Sequence, residues 1–210
     1  MKTFWKNYLR ELLSGMEKTN YVKPHDIPDI DLYMDQVTTF MDEHLEATKR
    51  FESDKLLTKT MINNYTKNDL LPSPNKKKYS KDHMYLLVFI YYLKNVLSMS
   101  DIKQIITPMT EMFFGEGKEI SLEEIYSEVF ATMEGQAREN TVKDVMNKFT
   151  QSKRTFANVQ GEKEREFLHI FSFISMLSFD VYMKKQMIEK IIDDLLQDET
   201  EENEEAKAKK

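Results

Sequence analysis

The chain has 210 residues, of which 30 are basic and 36 acidic, for a formal charge of −6. It has no Cys, which excludes disulfides, thiolate metal sites and Cys nucleophiles and fits a reducing cytoplasm. Five Gly and five Pro among abundant Glu, Lys, Leu and Met favour long helices, and the length suffices to bury a core.

The N-terminal stretch is amphipathic. Phe4, Trp5, Tyr8, Leu9, Leu12, Leu13 and Met16 share one helical face, while Lys2, Lys6 and Arg10 break any apolar leader core. Pro24 and Pro28 make residues 20–29 an extended connection. A helix is expected from about Asp31, its N-cap, to Phe51, burying Tyr33, Val37, Phe40, Met41 and Leu45. Thr58 caps a short helix, Lys59 to Lys67, that buries Met61, Ile62 and Tyr65. Leu70, Leu71 and Pro72 end it, and Pro74 to Tyr79 is a turn or small wing. Ser80 opens a helix to about Leu97, and Ser98 with Asp101 opens another, reaching Ile106.

Gly115 and Gly117 mark a hinge. Beyond it, Ser121 and Glu124 form a capping box for a helix that Gly135 ends or interrupts, and Val142, Val145, Met146 and Phe149 form another face. From Glu162 to Gln197 there is no Gly or Pro. Phe167, Ile170, Ile174, Leu177, Val181, Ile188, Ile191 and Leu195 follow a heptad-like spacing, with Lys184 the polar intruder. Residues 198–210 read as a disordered charged tail. The longest apolar run, Met84 to Leu93, is half a bilayer span, so a soluble intracellular protein without a membrane partner is expected.

Charge is unevenly distributed. Residues 53–103 hold nine Lys and four Asp, a net of +5 inside an acidic remainder. Such an island suits a polyanion. Within it, Thr-Lys-Thr-Met-Ile-Asn-Asn-Tyr precedes Leu70-Leu71-Pro72 and Pro74, and Tyr79-Ser80 precedes Leu86, Phe89, Ile90, Leu93 and Lys94. Leu97-Ser98 and Asp101-Ile102 follow. Over residues 57–106 this order resembles MerR-type winged helix-turn-helix regulators. The Asn-Asn-Tyr-Thr-Lys and Lys-Lys-Lys-Tyr-Ser wording is most similar to a bacterial family known only as a domain of unknown function on that fold. Departures are two helices ahead of the module, Asn63 at the family's recognition Arg, Asp69 at its Gly, a shortened wing, and no metal-binding Cys.

The residues carry their own chemistry. A helix starting at Thr58 presents amide NH groups and Lys59 to a phosphate. Asn63 and Asn64 can pair bidentately with adenine edges. The expected DNA contacts are Lys59, Thr60, Asn63, Asn64, Lys67, Lys76, Lys77, Lys78 and Tyr79. Other constellations are weaker. His25, Asp26, Asp29 and Asp31 match no metal-ligand spacing, and His83 and His169 read as packing or surface residues. No nucleophile motif or phosphate loop exists, so neither an enzyme nor a cofactor is expected.

The resulting expectation is an all-α chain in three parts. Residues 1–106 hold the N-terminal helices and the MerR-like winged module. Residues 107–197 hold a helical bundle with a long terminal helix, for dimerisation and effector sensing, and 198–210 form the tail. The function expected is a bacterial cytoplasmic transcriptional regulator that binds double-stranded DNA as a homodimer. Val181, Ile188, Ile191 and Leu195 would form the interface. The Met and aromatic residues of the second half leave a small-molecule effector open. The alternatives are a protein–protein adaptor that keeps the fold and a small-molecule binder without DNA activity.

Overall fold

A computed structural model gives the fold. The structure describes residues 7–9, 11, 13–14, 21–132 and 138–208, with side chains as far as Leu195 except that of Arg138. It comprises two compact units, Met1–Ala131 and Thr132–Lys210.

Unit 1 is built around one helix that is apolar on every side. Strand β1 (Leu32–Tyr33) leads into α1 (Met34–Leu45), and α2 (Lys59–Lys67) follows. Strand β2 (Lys78–Tyr79), α3 (Lys81–Leu93), α4 (Met99–Phe113) and α5 (Leu122–Thr132) complete it. Every residue of α3 from His83 to Tyr91 is buried, so the other elements must cover it all round. They present Val37, Phe40, Met41 and Leu45 from α1, Ile62 and Tyr65 from α2, Ile102 and Ile106 from α4, and Leu122, Tyr126 and Phe130 from α5. Aromatic rings join α3 to α5: Tyr126 lies 4.9 Å from Tyr85 and 5.3 Å from Phe89. The Tyr126 hydroxyl donates to the Val22 carbonyl, and Tyr21 stacks on Phe130 at 4.9 Å.

The two strands pair antiparallel, Leu32 with Tyr79 and Tyr33 with Lys78. This changes the start of α1. Asp31 does not cap it; Tyr33 is the N-cap, and its NH donates to Gln36 Oε1 at 2.8 Å. The boxes at Ser98 with Asp101 and Ser121 with Glu124 form as the sequence indicates. Helix α4 runs through Pro108 to Phe113 rather than stopping at Ile106. Gly115 and Gly117, both at positive φ, form a fixed turn inside unit 1, where the Gly115 NH donates to Asp82 Oδ2 at 2.8 Å. The two compact units divide after Ala131.

Unit 2 is a helix pair, α6 (Arg138–Ser152) against α7 (Glu162–Ala208), and not a bundle within the described residues. The two run antiparallel. The Thr155 carbonyl lies 2.9 Å from His169 Nε2, the Phe149 ring 5.3 Å from Phe173, and Lys148 Nζ 2.6 Å from Asp180 Oδ2. The tail expected to be disordered is helical to Ala208, because its Glu-, Lys- and Ala-rich sequence contains no Gly or Pro. Within Glu162–Leu195, α7 is long and apolar enough to cross a membrane by length and composition alone. The helical face of Phe4, Trp5, Leu12 and Met16, and Gly135, lie outside the described residues.

Candidate nucleic-acid interface

Helix α2 divides into two faces. Ile62 and Tyr65 are buried, and Lys59, Thr60, Asn63, Asn64 and Lys67 are exposed on the opposite side. At the N-terminus Thr58 Oγ1 accepts from the Met61 NH at 3.2 Å. At the C-terminus the Leu70 NH donates to the Tyr65 carbonyl at 2.9 Å and the Asp69 NH to that of Thr66 at 3.2 Å, a Schellman closure. Asp69 takes the left-handed conformation, φ 56°, that this closure demands and that glycine usually supplies. Lys103 of α4 donates to the Asn68 carbonyl at 2.7 Å, placing a cation at the negative end of the helix.

The connection from α2 to α3 ends in a tight hairpin. The Lys78 NH donates to the Asn75 carbonyl at 2.9 Å, and Lys76 and Lys77 have φ of 48° and 66°. Positive φ at both central residues is the signature of a type I′ turn, which favours Asn-Gly. Here both places are held by Lys, so the backbone is strained where the charge is displayed. Lys76 and Lys77 are exposed. Lys78 is half-buried, with its Nζ 5.2 Å from the centre of the Tyr33 ring. Tyr79, expected among the contacts, is buried at 3% exposure. Strand alternation turns it away from Lys78 and onto the edge of the His83 ring.

Residues 33–35 join α2 to the hairpin. Tyr33 carries Lys78, and Asp35, two residues on, forms an ion pair with Lys59. Neither Tyr33 nor Asp35 stands out in the sequence, because both partners are distant along the chain.

The basic island is partly consumed by the fold. Lys94 Nζ donates to the Leu56 carbonyl at 2.6 Å, and its burial lowers its pKa. Lys81 bridges Asp29 at 2.5 Å and Glu123 at 2.8 Å. Burial pulls the Lys81 pKa down, but these two carboxylates outweigh it and raise it above the ordinary lysine value. Asp29 is thereby accounted for, and among the described residues no acidic or His cluster is arranged to hold a metal. Lys67, Lys76 and Lys77 remain as exposed cations on α2 and the hairpin tip.

His83 lies between the hairpin and α4. Its ring meets Tyr79 at 5.5 Å and Phe114 at 4.8 Å, both edge-on. Nδ1 accepts from the Ser80 NH at 3.0 Å, doing the work of the usual Glu or Gln in a capping box. Burial depresses its pKa, against the opposing influence of the Pro72 and Ser73 carbonyls and of Asp82 and Asp31.

In unit 2, Val181, Ile191 and Leu195 are well exposed and Ile188 is 37% exposed. The depression at Lys163, Glu164, Phe167 and Leu168 is open to solvent.

The family described as Domain of unknown function (DUF1836) matches residues 22–130. The chain belongs to this family. The DUF1836 match begins at Val22 and ends at Phe130, next to the Val22–Tyr126 and Tyr21–Phe130 contacts that close unit 1. Every candidate DNA contact lies inside the DUF1836 region, and the candidate dimer residues lie outside it. No curated protein and no solved structure matches the chain.

Proposed function

We propose that the DUF1836 region is a winged helix-turn-helix of MerR-like type, and that the protein is a cytoplasmic transcriptional regulator that binds double-stranded DNA. The observation that carries this reading is the joint at Tyr33–Asp35. It sets an exposed polar helix and a strained basic hairpin on either side of one short segment. In this reading α2 enters the major groove, Asn63 and Asn64 read base edges, and Lys59, Thr60 and Lys67 meet the backbone. Lys76 and Lys77 reach phosphates, and Lys78 holds the hairpin on Tyr33.

Two further features support it. Asp69 adopts the backbone conformation that the glycine of the MerR pattern provides. The hairpin and β2 between α2 and α3 stand where a wing would, with β2 paired to β1 from ahead of α1. One departure is that residues 46–58 between α1 and α2 are longer than the usual three- or four-residue turn of this motif. Two copies would act together, with exposed Val181, Ile188, Ile191 and Leu195 of α7 available to the second copy.

The test is selection of duplexes from a random library, followed by salt titration of the selected site. Lys76, Lys77 and Lys78 changed together to Ala should weaken all duplexes alike. The slope of log K against log salt should flatten by about 0.9 for each phosphate that the variant no longer neutralises. Unchanged affinity and slope would remove the hairpin from the interface. A second reading, a protein–protein adaptor on the same fold, draws on the exposed apolar residues of α7. It predicts no duplex binding at any salt concentration.

A further inference from the structure

Helix α7 carries an apolar stripe that α6, its partner within unit 2, does not cover among the described residues. Phe167, Phe171, Ile174 and Val181 are 67%, 56%, 55% and 62% exposed. Their spacing, with Ser178 between the last two, keeps them on one line of a helix. Phe167 and Phe171 stack along that line with centroids 6.4 Å apart. Helix α6 packs on another side, through Phe173 and Asp180. It is also too short to wrap round: 15 residues span about 22 Å, against about 70 Å for the 47 residues of α7.

A bilayer is a poor occupant for the stripe. Between Glu166 and Asp180 only residues 167–179 are free of charge, about 20 Å of helix, whereas a hydrocarbon core is about 30 Å thick. Spanning would bury Asp180 together with Lys148, its partner on α6.

A second copy of α7 suits the stripe, and the flanking charges select its direction. Residues 162–166 hold Glu162, Glu164 and Glu166 with Lys163 and Arg165, a net of −1. Residues 184–190 hold Lys184, Lys185 and Lys190 with Glu189, a net of +2. A parallel pair in register would set each group against its own kind and stack Lys185 on its copy. An antiparallel pair sets Glu162 and Lys163 of one stripe against Lys190 and Glu189 of the other.

We propose that two chains associate through an antiparallel pair of α7 helices, with the two-fold axis passing between Ile174 and Ser178. Phe171 then lies against Val181 of the second copy. Phe167 lies under the aliphatic stem of the second copy's Lys185, and Lys163 lies opposite its Glu189. The core of the interface is the Phe167–Val181 stripe, one heptad or more before Ile188 and Leu195. This association is independent of whether α2 meets DNA.

The absence of Cys from the 210 residues allows a clean test in this chain. Phe171→Cys and Val181→Cys are made as separate proteins, and helicity is checked by circular dichroism. Mild oxidation of the mixture should give the mixed disulfide in large excess over either homodimer. Homodimeric disulfides formed as readily in each protein alone would mean parallel pairing and overturn the proposal. The wild-type chain should sediment as a dimer at micromolar concentration, and Phe171→Asp with Ile174→Asp as a folded monomer. A monomeric wild type, or wild type that floats with neutral phosphatidylcholine vesicles, would overturn it equally. Duplex binding is measured on the same samples. Its loss with the mixed disulfide intact would count against the DNA reading alone.

Discussion

Asp35 and Lys59 form an ion pair between the first turn of α1 and the first turn of α2. Both side chains are largely exposed, so the pair adds at most about 1 kcal/mol to stability and is readily exchanged for a phosphate. Asp35 also sets a negative charge beside the surface proposed to approach DNA. Asp35→Asn should therefore tighten binding to every duplex up to about fivefold. Fluorescence anisotropy at two salt concentrations would measure it. An unchanged or weaker affinity would mean that Lys59 is not at the interface.

Asn63 is exposed on the second turn of α2, with its backbone fixed by the Thr58 cap. Asn63→Ala should relax preference at one base position, at a cost of about 1–3 kcal/mol against the preferred base. The readout is competition between the selected site and its single-base variants. Equal losses on selected and random duplexes would assign Asn63 to backbone positioning.

Strain and charge can be separated at the hairpin. Lys77 sits at φ 66°, which glycine adopts without penalty. Lys77→Gly should raise the stability of the folded chain by up to about 1 kcal/mol, and Lys77→Ala should not. Both should weaken duplex binding similarly, because both remove the cation. Urea unfolding and anisotropy together decide this. Destabilisation by glycine would mean the turn is not strained.

Acid should loosen the contact between the hairpin and α3. His83 is buried with its pKa lowered below the ordinary 6.5, so the unfolded chain takes up the proton first. The stabilising contribution is complete above pH 6.5 and is lost as pH falls below it, at no more than about 1.4 kcal/mol per pH unit. Protonation also removes the acceptor for the Ser80 NH. Asp82 and Asp31 favour the charged form, and the apolar faces of Tyr79 and Phe114 do not. His83→Gln keeps a capping acceptor without the titration. It should flatten the fall in urea midpoint between pH 7.5 and 5.5.

What the sequence made legible was local. Thr58, the pair Ser98 and Asp101, and the pair Ser121 and Glu124 act within one turn, so their helices begin where residue type indicates. The exposed face of α2 follows from its period in the same way. Features that depend on distant partners stayed hidden. Strands β1 and β2 are two residues each and lie far apart in sequence, so neither shows alternation. Without that pairing Tyr79 reads as a continuation of three lysines, although the pleat turns it inward. A turn of Lys76 and Lys77 opposes the Asn-Gly preference, and Asp69 stands where glycine is expected, so tertiary context overrode propensity in both places. Composition misjudged the last residues of α7, since charge that argues against burial does not argue against helix.

The bond from Tyr126 to the Val22 carbonyl gives unit 1 a timetable. The two residues are among the first and last of the DUF1836 region, so a ribosome must release nearly all of it before the closing bond forms. Until then α3, apolar on every side, lacks its α5 cover and is exposed to chaperones and to other nascent chains. Because the ends of the region meet, the same bond makes it a cassette. Joining its ends in a circular permutant should therefore keep the fold.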